Sequence, residues 1–253
     1  LPFEMEESTL KGSNGFAIAP QHSKNGNALL YINPHVPFYF RSEMHMNSEE
    51  GLNVYGAVTW GQMFIYQGFN EHCGWMHTSS YADVADVYLE KIKRREGALY
   101  YEFEKEDKKV QSRNITLKYL DNGVIKTKNF ETFATHHGPI MASKNNQWLS
   151  LQENNRSKDA LIECWIRTKA KNIDDYKKAL SLLSNNSNNT VYADAQGNIA
   201  YWHGNFMPKR NPAYDYTKPV DGSIKATDWQ DIHPLEETVF SINPSNGWLQ
   251  NCN

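Results

Sequence analysis

The 253 residues carry a formal net charge of −3, with 40% hydrophobic and 22% charged side chains, the balance of a globular chain long enough to bury a substantial core. That charge supplies no general attraction for a phosphate backbone, so nucleic acid is not an expected partner. No apolar run approaches the roughly 18 residues that would span a bilayer, and "LPFEMEESTLKG" lacks the basic and then apolar order of a signal peptide.

The first element is set by "LKGSNGFAIAP". Four turn-forming residues abut a run in which Phe16, Ile18 and Pro20 lie on one side and Ala17 and Ala19 on the other, which predicts a buried strand beginning abruptly after Ser13. Further strands are expected at "ALLYIN" (28–33), "YGAVTW" (55–60), "MFIYQGF" (63–69), "ADVYLEKI" (85–92), "ALYYEFE" (98–104) and "NITLKYL" (114–120). All are rich in β-branched and aromatic residues and are punctuated by Gly, Asn or Asp. "SKDALIECWIRTKA" (157–170) reads either as a helix or, through Ile162, Cys164 and Ile166, as a strand. "NIDDYKKALSLLS" (172–184) predicts an amphipathic helix: Asn172 caps it, acids fill its first turn, and Ile173, Tyr176, Leu180 and Leu183 recur at helical spacing. "TVYADAQGNIAYWHG" predicts a hairpin turning at Gln196-Gly197-Asn198. The proline-rich last third predicts a long segment following the surface. Antiparallel pairing should dominate.

Cys73, Cys164 and Cys252 are odd in number and widely spaced, so they imply neither a disulfide framework nor a zinc knuckle and read as buried small hydrophobes. His136 and His137 are adjacent, which in an extended chain sends them to opposite faces, and no H-x-H or H-E-x-x-H occurs, so the histidine spacing argues against a transition-metal site. Nucleotide-cradling glycine patterns and the G-x-S-x-G elbow are missing as well, which argues against an organic cofactor. Asp83 and Asp86, with the carbonyl of Ala85 between them, offer hard oxygens suited to calcium, although the same spacing also describes a solvated turn.

Ser13 has two readings. A serine hydroxyl needs a base beside it, and a serine that begins a chain carries one in its own α-amine, whose ordinary pKa of about 8 lies close to neutrality. Making Ser13 terminal requires cutting the Gly12-Ser13 bond, and Gly12 offers the least obstruction to attack on its own carbonyl. The alternative is a plain Gly-Ser turn.

The blocks "GSNGFAIAP", "ALLYINPHVPF", "VYGAVTWG", "YQGFNEHCGWMHTSSYADVADVYLE", "HHGPI", "ADAQGNIAYWHGNFMPKR", "PVDG" and "INPSNGWLQNCN", in that order, give the chain its resemblance to a known family. It resembles the penicillin acylase family of N-terminal-nucleophile hydrolases, which includes acyl-homoserine lactone acylases and aculeacin acylase. The resemblance implies an α+β fold, an antiparallel-sheet-rich part of an α-β-β-α sandwich. It also implies a division in which 1–12 end a linker before the autocleavage site and 13–253 open the nucleophile-bearing large chain.

By the same resemblance Ser13 is the nucleophile, His35 orients its amine, and the oxyanion hole is made by the Ser79 backbone N–H and the Asn253 side chain, with Asn251 beside it. Val36, Phe38 and Gln67 fall near positions lining the acyl pocket. Asp83, Ala85 and Asp86 match a structural calcium loop, while His137 and Arg210 match positions read as sheet packing and a structural ion pair. The implied activity is hydrolysis of the linear amide of an N-acyl compound, of penicillin type or acyl-homoserine-lactone type, by a periplasmic or secreted enzyme. Its partners would be the small chain and a C-terminal part of the same precursor. The rival expectations are a non-catalytic calcium-stabilised binding or scaffold module and an inactive unprocessed precursor.

Overall fold

The computed structural model describes residues 12–36, 41–144, 147–154, 157–185 and 187–252. The chain forms two compact units. The described residues of Leu1–Asp83, Asn155–Met207 and His233–Asn253 make unit 1, and those of Val84–Asn154 and Pro208–Ile232 make unit 2.

Unit 1 opens with β1 (Gly12–Ile18), β2 (Leu29–His35), β3 (Arg41–Ser48), β4 (Leu52–Thr59), β5 (Gln67–Asn70) and β6 (Cys73–Ser79). The chain then builds most of unit 2 as β7 (Asp86–Arg95), β8 (Ala98–Phe103), β9 (Glu106–Lys109), β10 (Gln111–Asp121), β11 (Val124–Ala134), β12 (Ile140–Lys144) and β13 (Gln147–Gln152). It returns to unit 1 through α1 (Lys158–Arg167), α2 (Ile173–Leu180), β14 (Asn188–Asp194) and β15 (Ile199–Trp202). Three two-residue strands of unit 2 follow, β16 (Pro208–Lys209), β17 (Val220–Asp221) and β18 (Asp231–Ile232), before β19 (Phe240–Ile242) and β20 (Trp248–Cys252) complete unit 1.

Within unit 1, a seven-stranded sheet ordered β19-β15-β14-β6-β5-β4-β3 faces a three-stranded sheet ordered β2-β1-β20. Ala17 and Ala19 meet Val191, Ala193 and Ile199 between the sheets. On the other face of the large sheet, Tyr176 and Leu180 of α2 pack on Trp75, Tyr192 and Trp202. The order helices, sheet, sheet supplies three layers of the four-layer sandwich. Its middle position explains why β6 and β14 are buried along almost their whole length, with no solvent face to alternate toward.

Local chemistry accounts for the helices. The Ser157 hydroxyl caps α1 by accepting from the Asp159 N–H at 3.1 Å, which resolves the helix-or-strand ambiguity of 157–170 in favour of helix. Asn172 caps α2 in the same way through the Asp175 N–H at 2.9 Å. The hairpin joining β14 to β15 is held by Asp194, whose Oδ1 accepts from the N–H groups of Gln196 at 3.0 Å and Asn198 at 2.9 Å. One predicted strand is shorter than its sequence suggests. Of 63–69, only Gln67 onward pairs as β5, because 63–66 form the return from β4, where Tyr66 N–H bonds the Ala57 carbonyl at 2.8 Å.

Unit 2 holds a sheet ordered β12-β13-β7-β8-β9, with β17 pairing parallel to β7, and a long β10-β11 hairpin. Most residues of that hairpin are exposed on both faces.

Candidate active site

The candidate nucleophile sits on the central strand of the small sheet. β1 runs antiparallel to β2 on one side, pairing Ser13 with Pro34, and to β20 on the other, pairing Gly15 with Asn251 and Asn14 with Cys252. Of its two sides the small one is buried: Ser13, Gly15, Ala17 and Ala19 face inward, while Phe16 and Ile18 are half-buried. Small residues are needed because the large sheet lies close. A Cβ on Gly15 would stand 2.8 Å from Met76 Sδ and 3.0 Å from Val191 Cγ2.

Ser13 is 7% exposed. Its hydroxyl donates to the carbonyl oxygen of Gly12 at 2.7 Å, so Oγ lies against the peptide group that precedes it.

His35 pairs with Gly12, one register position from Ser13. Successive strand residues point to opposite faces, so its ring shares a face with Asn33 and Asn14 rather than with Ser13 Oγ. Its Nε2 lies 2.8 Å from Asn33 Oδ1 and 3.2 Å from Asn14 Nδ2. This placement does not bring the imidazole to the hydroxyl.

On the inward side of the small sheet, Asn251 meets Thr78 of β6, whose hydroxyl donates to Asn251 Oδ1 at 2.5 Å. Asn251 Nδ2 in turn donates to the Tyr201 hydroxyl at 3.3 Å. Asn189 of β14 donates to Thr78 Oγ1 at 3.1 Å and to the Ser79 carbonyl at 3.0 Å, fixing the end of β6 where Ser79 is exposed. Thr78 and Asn189 were not singled out by the sequence. Only their pairing across β6 and β14, far apart in the chain, brings them together.

Gln67 is buried at the start of β5, and its Oε1 accepts the His77 N–H at 3.4 Å. Burial, reinforced by the nearby Arg167 charge, drives His77 well below the ordinary imidazole pKa and keeps that ring neutral. Val36 is half-buried just beyond β2. Phe38 and Asn253 lie outside the described residues.

Asp83 is exposed, Ala85 is half-buried, and Asp86 is buried at the start of β7. Asp86 Oδ2 accepts from Arg210 Nε at 2.7 Å and from Trp229 Nε1 at 2.5 Å, which makes Arg210 the partner of a buried ion pair. The second carboxylate oxygen, Oδ1, is buried without a hydrogen-bond partner among the described residues. His137 is likewise buried, between Glu90 and Asp228.

The penicillin amidase family model matches residues 2–253. The chain is 28% identical to the acyl-homoserine lactone acylase QuiP of Pseudomonas fluorescens, over 96% of this chain and 30% of that protein. It is 27% identical to the penicillin G acylase of Escherichia coli, over 95% of this chain and 28% of that protein. Among solved structures, the thermostable penicillin G acylase from Alcaligenes faecalis superposes with a TM-score of 0.79 at 23% identity, covering 94% of this chain and 43% of that one. The chain thus spans about a third or less of the curated relatives, and its fold is that of the N-terminal-nucleophile hydrolases. A match over nearly every residue, joined to that fold, leads to one conclusion: this chain belongs to the penicillin amidase family.

Proposed function

We propose that the chain is the nucleophile-bearing part of an acylase that hydrolyses the linear amide of an N-acyl compound, with Ser13 as nucleophile. The observation that carries the reading is the 2.7 Å hydrogen bond from Ser13 Oγ to the Gly12 carbonyl, which sets the hydroxyl against the group it must attack for the chain to cut itself. Attack of Oγ on the Gly12 carbonyl carbon forms an ester as the C–N bond breaks, and the hydroxyl proton passes to the departing nitrogen, which becomes the Ser13 α-amine. Water then hydrolyses the ester, leaving a Gly12 carboxylate and restoring the Ser13 hydroxyl.

Catalysis repeats this chemistry on a substrate amide. The freed α-amine, near pKa 8 in its ordinary state, accepts the hydroxyl proton as Oγ attacks and returns it to the departing amine. Water resolves the acyl-enzyme by the same route. In this reading the Ser79 N–H and the Asn253 amide hold the oxyanion, and the loss of one such donor typically costs about 3 kcal/mol. Any part played by His35 would run through its backbone, since its ring lies on the other face of β2.

The names of the relatives, acylases of acyl-homoserine lactones and of penicillin G, support an N-acyl amide as substrate class. Calcium fits the Ala85-Asp86 segment: Asp86 Oδ1 is a buried carboxylate oxygen with no protein partner among the described residues, and the Ala85 carbonyl precedes it. Bound there, the ion would brace β7 and would take no part in bond cleavage. The same reading has the enzyme exported, and completed by the small chain and by the C-terminal part of its precursor.

The test is the amino terminus of the complete protein. Intact mass and Edman sequencing should find a chain beginning at Ser13, and Ser13→Ala should stay uncut. A mature terminus elsewhere, or amide hydrolysis by Ser13→Ala, would overturn the proposal. Chromogenic amides with acyl chains of graded length would then define the acyl group.

A further inference from the structure

Adjacent histidines share a ligand only where the chain is not extended, and at His136-His137 it bends sharply. Thr135 and Gly138 bond each other's backbone, N–H to carbonyl, at 2.9 and 3.3 Å. Gly138 adopts φ +140°, and a Cβ there would stand 2.1 Å from the Leu151 carbonyl oxygen, so only glycine allows this bend. As a result the two imidazoles lie side by side with ring centroids 3.8 Å apart. The expectation that they point to opposite faces therefore fails.

Asp228 follows a short 3-10 turn, Lys225–Thr227, and presents its carboxylate to both rings. Its Oδ1 lies 2.9 Å from His137 Nε2 and 3.7 Å from His136 Nε2. On each ring the other nitrogen already has a partner. His137 Nδ1 is 2.9 Å from Glu90 Oε1, and His136 Nδ1 is 3.1 Å from the Tyr101 hydroxyl. Glu90 is fully buried and is itself held by the hydroxyls of Thr135 at 2.7 Å and Ser150 at 2.6 Å.

The aromatic surroundings fix the rings. Tyr88 stacks on His137 at 3.7 Å with 8° between planes, and Phe103 meets His136 edge-on at 4.4 Å. Both Nε2 atoms are thereby aimed at one carboxylate with little freedom left to lose on binding. His136 and Asp228 retain 31% and 28% side-chain exposure, which gives an ion a way in.

We propose that His136 Nε2, His137 Nε2 and the Asp228 carboxylate form a binding site for a divalent transition-metal ion of the zinc class. Two imidazoles and one carboxylate within 4.8 Å of one another make a mixed nitrogen and oxygen set, which suits zinc or cobalt and is unlike the all-oxygen shells of calcium and magnesium. Glu90 and Tyr101 then act from outside the coordination sphere, holding each ring so that its Nε2 lone pair faces the metal. A divalent cation would also balance the two carboxylates, Glu90 and Asp228, that flank the buried His137. Water completes the coordination on the exposed side.

The complete protein, freed of transition metal with a chelator and returned to constant calcium, should be titrated with zinc chloride by calorimetry. Cobalt(II) chloride provides a second readout through its visible d–d absorption. One zinc should bind per chain, and cobalt should give the intense bands of a four-coordinate site. His136→Ala, which removes a partly exposed ligand, should abolish both signals while circular dichroism stays native. Tyr101→Phe keeps the ring and loses only the acceptor of His136 Nδ1, and should weaken zinc about tenfold. The proposal is overturned if no saturable zinc binding is found. It is equally overturned if binding persists in His136→Ala, which would assign the zinc to other histidines.

Discussion

Thr78 donates its hydroxyl hydrogen to Asn251 Oδ1 at 2.5 Å, and this contact ties β6 of the large sheet to β20 of the small sheet inside unit 1. The same hydroxyl oxygen accepts from Asn189 Nδ2 at 3.1 Å. One threonine thus orients two asparagines beside the strand that carries Ser13.

Thr78→Val keeps the shape of the side chain but leaves Asn251 Oδ1 and Asn189 Nδ2 without this partner. A buried polar atom that loses its partner costs about 1–3 kcal/mol, so urea unfolding should show a loss in that range. Thr78→Ser retains the hydroxyl and should lose less. A valine variant within about 0.5 kcal/mol of the parent would show that the two asparagines find other partners.

Much of the fold was legible because strand patterns are local. The runs at 98–104 and 114–120 lie within β8 and β10 to within a residue or a few, and the Asn172 cap places α2, whereas 157–170 reads equally as helix or strand until the Ser157 cap of the folded chain settles it as α1. The small sheet was legible only in part. The alternation separates Phe16 and Ile18 from Ala17 and Ala19 without saying which side faces the core; the approach of Met76 and Val191 selects the small residues Ser13, Gly15 and Ala17, and that constraint comes from another sheet. Of the candidate site, Ser13 and Asp86 could be named from local sequence and resemblance. Thr78, Asn189, Glu90 and Asp228 could not, because each acquires its role from partners distant in the chain. The histidine pair was misread because periodicity assumes extended backbone and cannot register the bend that Gly138 permits.

The three cysteines do not share one environment, contrary to the expectation that all are buried. Cys73 is buried, Cys164 half-buried and Cys252 exposed. Burial, the dominant cause, pushes the Cys73 thiol up to about 12, and its Sγ donates to the Ala170 carbonyl at 3.3 Å. At pH about 8 only roughly one Cys73 in ten thousand is thiolate, the reactive form. Ellman's reagent should therefore label Cys252 first and reach Cys73 only in denaturant. Rapid labelling of Cys73 in the native protein, located by peptide mass, would contradict this packing.

Glu163 predicts how stability changes with pH. Its side chain is buried on α1 and accepts from the Ser184 hydroxyl at 2.5 Å and from Asn205 Nδ2 at 3.1 Å. Burial raises its pKa more than the Arg167 charge and these donors lower it, so the folded carboxyl holds its proton above the ordinary carboxylate range. The folded state then binds more protons than the unfolded state across that window, and this contribution to stability falls as pH rises from the ordinary value through the folded one. Glu163→Gln cannot titrate and should lack this part of the slope. From mildly acid to neutral pH the urea midpoint of the parent should fall relative to that of Glu163→Gln, and parallel profiles, or a parent that gains on the variant, would rule the assignment out.

Calcium should act through Asp86. One carboxylate oxygen is committed to Arg210 and Trp229, and the other is buried without a partner among the described residues, an arrangement that costs stability unless a cation or donor meets it. If calcium meets it, the ion binds the folded state alone and raises stability with concentration, by about 2.7 kcal/mol at a hundredfold excess over Kd. Thermal unfolding of the complete protein should shift upward as calcium replaces a chelator. Asp86→Asn keeps an acceptor for Arg210 and Trp229 but removes the charge the ion requires, so its unfolding temperature should be lower and insensitive to calcium. A calcium response equal in Asp86→Asn and the parent would place the ion elsewhere, and the buried oxygen would then need another partner.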